Sequence, residues 1–418
     1  MDSLIIHGGQ PLRGQVKISG AKNSALKLMC ASLLTAEPLT LHNVPQLADI
    51  TTMASLLKQH GMEISESGEN SFKLRSNNIT NFTAPYELVK QMRASIIVLG
   101  PLLARFGEAK ISLPGGCAIG TRPVDLHLSS LKKMGAEIDI IDGYVVAKAQ
   151  RLKGAEIYFE KVSVGATENT LMAATLAQGE TVLHNAAQEP EISDLVECLI
   201  KMGAKIDGIG TNRLTIQGVE KLHGAEHEVV ADRIETGSFI AAAAITGSEI
   251  ELLGARAEHL GAVLHKFEEA GVHVEKTANG LRVKKPREIK AVDITTEPYP
   301  GFPTDMQAQF MALMTVASGA STFQETIFEN RFMHVPELVR MGAKIKTSGN
   351  TAIVTGVPGL RGAEVMATDL RASFSLVIAA LAAEGETRIS RVYHIDRGYE
   401  KIARRLQGLG ADITRIKE

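Results

Sequence analysis

The chain has 418 residues, and 45 Lys and Arg against 47 Asp and Glu leave a formal net charge of −2 at pH 7, which excludes nucleic-acid binding through a broadly basic surface. A chain of this length exceeds what one hydrophobic core supports, so two domains are expected. Three cysteines without close spacing give neither a disulfide framework nor a zinc signature. No uninterrupted apolar run reaches the ~18 residues of a bilayer span, and the N-terminus lacks the three regions of a signal peptide. A cytoplasmic protein without metal, cofactor, nucleic-acid partner or membrane insertion is expected.

Taken in order, the chain opens on residues 4–14, which read as a strand with no partner nearby. One phrase then recurs six times, an amphipathic helix closed by glycine and followed by a strand: LKQHGMEI, LKKMGAEI, LIKMGAKI, KFEEAGVHV, LVRMGAKI and LQGLGADI. Its glycines are Gly61, Gly135, Gly203, Gly271, Gly342 and Gly410, separated by 74, 68, 68, 71 and 68 residues. Each stands where a helix C-cap needs positive φ. The chain is therefore a sixfold repeat of about 70 residues.

Each unit carries a second, more apolar helix, clearest in ASIIVLGPLLARFG, TLMAATLAQG, SFIAAAAITG, AQFMALMTVASG and FSLVIAALAAEG. A helix hydrophobic on all sides must be buried on all sides. The strands that follow alternate, as half-exposed sheet does, so helices are expected inside and sheets outside. Hairpin signals such as Asp142-Gly143 and Asn279-Gly280 end each unit. The sixth unit stops without its last strand, which the N-terminus is expected to supply. The expected architecture is α/β, two inside-out barrel domains of three βαβαββ repeats each: residues 21–230, and a discontinuous domain of residues 1–20 with 231–418. An open six-unit solenoid ranks lower, because solenoids carry atypical capping repeats.

Charges gather at the starts of the apolar helices, at Lys22-Asn23, Arg93, Glu168-Asn169, Glu235-Thr236, Asp305 and Asp369-Leu-Arg371. For an acidic residue alone, capping explains this. A cation there opposes the helix dipole, so Lys22, Arg93 and Arg371 point instead to an anionic ligand. Arg122, Arg331 and Arg397 follow core strands at the same end of their units. The stretch over residues 111–125 adds a thiol, Cys117, among Gly115, Gly116 and Gly120, a loop with the backbone freedom of a lid. Six cations with Asp305 and Cys117 suit a substrate bearing several phosphate or carboxylate groups. Cys30 and Cys198 read as core residues, and His127, His334 and His394 as structural. Neither a phosphate-binding Walker loop nor a dinucleotide fingerprint is present.

The motifs SGAKN (19–23), LPGGC (113–117), GTRPVDL (120–126), KVSVG (161–165), FPTDMQ (302–307), ENRFMH (329–334), ATDLR (367–371) and HIDR (394–397) resemble, end to end, those of the UDP-N-acetylglucosamine enolpyruvyl transferases. The resemblance implies two inside-out α/β domains with the active site between them. It also implies transfer of the enolpyruvyl group of phosphoenolpyruvate to the sugar 3′-hydroxyl with release of phosphate, in peptidoglycan precursor synthesis.

By the same resemblance the catalytic residues are Cys117, Asp305, Lys22, Arg397 and Asp369. Asp305 is the base and sugar contact. Cys117 is the proton donor, the site of a covalent phosphoenolpyruvate adduct and the target of epoxides such as fosfomycin. Asp369 has a conformational or proton-handling role. Phosphoenolpyruvate is held by Lys22, Asn23, Arg122, Arg331, Arg371 and Arg397. UDP-N-acetylglucosamine is held by Asn23, Arg93, Arg122, Pro123, Val124, Asp125, Leu126, Lys161, Val162, Ser163, Val164, Asp305 and Ile327. A free thiol, with a pKa of about 8.5, is mostly protonated near neutrality, as a donor must be, while neighbouring cations favour the thiolate. The loop over residues 43–49 carries no lysine at Gln46 or Ala48. Two other readings stand beside this one: the sister transfer to shikimate 3-phosphate on the same fold, and a non-catalytic repeat scaffold, against which the cations at the helix mouths argue. Domain closure on substrate is expected, because cations from both halves repel one another until an anion binds.

Overall fold

The computed structural model describes residues 2–113 and 124–417. Among them lie six four-stranded sheets, and the third repeat shows the plan. Strand Glu156–Tyr158 leads into the buried helix Val164–Ala174 and strand Glu180–His184, then the amphipathic helix Pro190–Lys201 and a hairpin of Lys205–Asp207 with Arg213–Gln217. The first two strands run parallel, with Glu156 opposite Val182. The hairpin adds antiparallel strands on the far side. Alternating burial along these strands leaves one face of each sheet to solvent, as the pattern requires.

Apolar helices fill the interior. In the helix Ser373–Ala382 every residue from Ser373 to Leu381 is buried, and Leu376, Val377 and Ile378 have no exposure at all. Each such side chain contributes roughly 1.5–3 kcal/mol, so a charge at Ile378 would break the packing. All six repeat glycines have positive φ, from 82° at Gly271 to 106° at Gly61. An alanine there would strain every helix ending.

Two departures from the expected elements matter later. The segments at Arg93 and Asp305 enter their helices through 3₁₀ turns, Arg93–Val98 before Leu99–Phe106 and Thr304–Met306 before Gln307–Met314. Glu168 is not at its helix mouth but a turn inside, whereas Glu235 is in the first turn of Arg233–Ile245 as expected, and both are buried. Ser163 and Asp232 occupy the N-cap positions.

The N-terminal segment does more than complete the last repeat. Strand Asp2–His7 pairs with Asp412–Lys417 and Glu386–Ser390, supplying the missing strand. Residues 13–17, expected with the same unit, instead run parallel to Glu249–Leu253 in the fourth repeat's sheet, with Arg13 opposite Glu249. Ala225–Glu228 does the same for Leu39–His42 in the first repeat. Each set of three repeats is thus closed by a sequence-distant strand of its own unit rather than left open as a solenoid. The described residues divide into two compact units, 2–19 with 231–417 and 20–113 with 124–230. Each has its own hydrophobic core. Among the described residues no helix is long and apolar enough to cross a membrane.

Candidate functional site

In the unit formed by residues 2–19 and 231–417 the expected residues meet in one network. Asp305, with a side chain 26% exposed, accepts a 2.8 Å hydrogen bond at Oδ1 from Arg331 Nη2, and its Oδ2 lies 3.5 Å from Arg371 Nε. Arg331 also donates through Nη1 to Thr304 Oγ1 at 3.2 Å. Arg371 is nearly fully buried and reaches Asp232 Oδ2 at 3.4 Å and the Gly398 carbonyl, next to Arg397, at 3.4 Å. Burial works against both guanidinium charges, but neighbouring carboxylates outweigh it. Asp305 and Asp369 hold Arg331 above its ordinary range, and Asp232 and Asp305 do so for Arg371.

The local sequence explains why these groups converge. Asp369 Oδ1 accepts from the backbone N–H groups of Arg371 and Ala372, both at 2.8 Å, which fixes the turn from which Arg371 projects. Asp232 caps the helix Arg233–Ile245 through Ile234 N at 2.8 Å and Glu235 N at 3.0 Å. Glu325 Oε1 accepts from the backbone of Ile327 and Phe328, and Oε2 from Thr304, so it organises the loop leading to Arg331. His334 is fully buried beside Arg331 and Asp369, and neither ring nitrogen has a hydrogen-bond partner among the described residues. Burial, followed by the Arg331 charge against the opposing pull of Asp369, pushes its pKa down to about 4, so the imidazole is neutral. Arg397 ends the 3₁₀ turn Val392–Arg397 and helps depress the pKa of half-buried His394, after burial itself.

The other unit holds separate pairs. Lys22, the first residue of helix Lys22–Ala31, is buried with Nζ 3.2 Å from Asp49 Oδ2. Asn23 follows it, partly exposed. Ser163 Oγ accepts from Ala166 N at 3.3 Å and caps the helix from Val164; Val162, Ser163 and Val164 are half-buried there and Lys161 is exposed. Val124 is buried, Asp125 opens the helix Asp125–Lys133, and Leu126 is half-buried beside it. His127 sits between these elements. Asn169 Nδ2 lies 3.0 Å from its Nδ1 and donates to Ile96 O at 3.2 Å, while Asn169 Oδ1 accepts from Gly100 N at 2.6 Å. Burial and then the Arg93 charge push His127 down to about 4, with Asp125 opposing. Asn169 and His127 therefore tie the start of the helix from Val164 to the turn that carries Arg93.

Cys117, Arg122 and Pro123 lie outside the described residues, so the lid and its thiol are known here from sequence alone. Cys30 and Cys198 are buried core thiols; burial raises both, Cys198 to about 12. The expectation of cations standing against one another needs correction. Lys22, Arg331 and Arg371 each face a carboxylate of their own unit, because burying an unpaired charge costs far more than burying a pair.

Two of those carboxylates, Asp49 and Asp232, were not singled out in the sequence. Asp232 carried a legible signal, an Asp followed three residues later by Glu235 at a helix start. Asp49 carried only its place in the first turn of an amphipathic helix. Among the described residues no group of three His, Cys, Asp or Glu side chains is arranged to hold a metal ion.

Comparison with known proteins places this geometry in a group. The family model for EPSP synthase (3-phosphoshikimate 1-carboxyvinyltransferase) matches residues 6–406. The UDP-N-acetylglucosamine 1-carboxyvinyltransferase of Paramagnetospirillum magneticum is 61% identical, covering 100% of this chain and 99% of its own. That of Acidiphilium cryptum is 62% identical with both chains covered in full. Among solved structures, the enolpyruvyl transferase NikO from Streptomyces tendae superposes with a TM-score of 0.89 at 25% identity, over 100% of this chain and 99% of its own. EPSP synthase from Acinetobacter baumannii gives 0.79 at 17% identity over both full chains, a likeness of fold.

Proposed function

Since the chain belongs to the enolpyruvyl transferase family, we propose that it transfers the enolpyruvyl group of phosphoenolpyruvate to the 3′-hydroxyl of UDP-N-acetylglucosamine, releasing phosphate, in the cytoplasm and for peptidoglycan assembly. Two relatives at 61% and 62% identity bear the name of that activity. The observation that supports it most within the chain is the Asp305 carboxylate set between the guanidiniums of Arg331 and Arg371.

In this reading Asp305 takes the proton of the sugar hydroxyl as the oxygen attacks C2 of phosphoenolpyruvate, and Cys117 delivers a proton to the methylene carbon. Loss of a proton from the resulting methyl group then restores the double bond as the bond to phosphate breaks. Lys22, Arg122, Arg331, Arg371 and Arg397 hold the carboxylate and phosphate. Bidentate guanidinium forks suit both groups, and Lys22 acts as a point charge. Asn23, Arg93, Pro123, Val124, Asp125, Leu126, Lys161, Val162, Ser163, Val164 and Ile327 contact the nucleotide sugar. Asp369, spent on the backbone of Arg371 and Ala372, sets the direction of Arg371. The incoming anion in this account exchanges partners with carboxylates already present, so binding is a redistribution of ion pairs.

Acceptor competition tests the reading. Phosphate release from phosphoenolpyruvate is expected with UDP-N-acetylglucosamine and not with shikimate 3-phosphate; the reverse preference overturns the assignment. Cys117→Asp keeps an acid and loses the thiol. Solvent-deuterium incorporation retained without a burst of covalent adduct marks the donor role, and loss of both marks a nucleophilic one.

A further inference from the structure

The helices Lys22–Ala31 and Val164–Ala174 are buried along almost their whole length, yet each commits an ionic side chain to the interior just beyond its first turn. The side chains of Lys27 and Glu168 are 9% and 1% exposed, with Nζ and Oε2 3.4 Å apart. Lys27 Nζ also donates to the carbonyl oxygen of Asn23 at 3.0 Å. At 3.4 Å the pair is an ion pair without directed hydrogen bonds, and neither Glu168 oxygen accepts one from any described residue.

Such a pair is a poor way to hold a fold together. Desolvating two charges costs about as much as their attraction returns, and apolar side chains of the same volume serve a core at least as well. What an apolar contact does not provide is a fixed register between two helices, which a single buried polar pair can impose. The register set here is between two helix starts. One carries Lys22 and Asn23, and the other follows Lys161 to Ser163, all assigned to substrate above.

We propose that Lys27 and Glu168 are positioning residues that hold these two helix starts in register and thereby set the affinity for the nucleotide sugar, an inference that rests on the function proposed above. Other charged or titratable groups face Glu168 as well: Cys30 on the same helix as Lys27, and Glu189 and Glu191 at the start of Pro190–Lys201. Burial, against the attraction of Lys27 and with the two glutamates adding to it, raises Glu168 to about 7, so the pair is fully charged only above that pH.

The double variant K27M/E168L tests this, because it removes both charges and leaves no orphan. It is expected to unfold at the wild-type temperature or above. Its KM for UDP-N-acetylglucosamine should rise roughly tenfold, short of the about 100-fold that a 1 Å misplacement can cost, with kcat within about twofold. A wild-type KM in the folded double variant overturns the proposal. Should that variant not fold, E168Q keeps the shape and removes the charge. Wild-type KM is then expected to fall as pH rises through about 7 while that of E168Q stays flat, and parallel profiles overturn the proposal. Amide hydrogen exchange in residues 22–26 and 164–168 needs no substrate. It should quicken in either variant, and unchanged exchange also counts against positioning. If the wild-type protein does not turn over the nucleotide sugar, the function proposed above fails by itself, and exchange still decides whether the pair sets the register.

Discussion

The two units solve the same problem, placing charge at the mouths of buried helices, with different chemistry. In the unit of residues 231–417 the carboxylates of Asp232 and Asp305 are threaded between the forks of Arg331 and Arg371, so each group has more than one partner. In the unit of residues 20–230 two buried lysines face carboxylates, Lys22 with Asp49 and Lys27 with Glu168. A guanidinium spreads its charge over a rigid planar fork and can exchange one carboxylate for another without losing its frame. An ammonium is a compact point charge that follows its partner. The arginine network is therefore suited to trade partners with the anion proposed above, whereas the Lys27–Glu168 pair, set a turn inside its helices, is placed to fix backbone elements.

Breaking that contrast begins with Asp305→Ala. Loss of the proposed general base, which also anchors two guanidiniums, should lower phosphate release by about 1000-fold, and a tenfold loss or less would remove Asp305 from the chemistry. Arg371→Met comes next. It leaves Asp232 buried without its cation, and urea unfolding should show a loss of about 3–5 kcal/mol. A neutral result would mean that the network is not coupled.

The lysine unit is probed by pH. Glu168 binds its proton more tightly in the folded chain, with its pKa raised from 4.5 to about 7 by burial. Stability from this group is therefore complete below pH 4.5 and is lost as pH rises toward 7. The unfolding free energy of Glu168→Gln minus that of wild type should grow by about 3 kcal/mol across that window, and a constant difference would place Glu168 in a more solvated setting. The smallest effect contrasts the two caps. Ser163→Ala removes one 3.3 Å bond and should cost about 0.5–1 kcal/mol. Asp232→Ala removes two backbone bonds and the partner of Arg371, so its thermal shift should be several times larger.

Much of this was legible in residue order because the information was local and periodic. The glycines from Gly61 to Gly410 mark positive φ, and the all-apolar helices around Ile240 and Ile378 announce burial, so the inside-out plan follows from pattern. The pairing of residues 13–17 with Glu249–Leu253 was not legible. A short strand of alternating residues fits several sheet edges, and its partner is chosen by long-range closure of the barrel. The site divides in the same way. Lys22, Arg93 and Arg371 stood out because cations oppose a helix dipole, and Arg331 because it follows a core strand at the same end of its unit. Asp49 was masked because an acid in the first turn is ordinary dipole chemistry, and the capping signal of Asp232 was legible but gave no sign of its second partner, Arg371. Glu168 was placed a turn too early, because an apolar run does not reveal where its first turn begins when Ser163 is the cap.

The most direct test of the account is the identity of the product. Wild-type protein incubated with UDP-N-acetylglucosamine and phosphoenolpyruvate should yield, by carbon NMR and mass spectrometry, a nucleotide sugar whose 3′-oxygen bears the enolpyruvyl group, with one phosphate released per product. Intact phosphoenolpyruvate, or pyruvate and phosphate with the sugar unmodified, would contradict it.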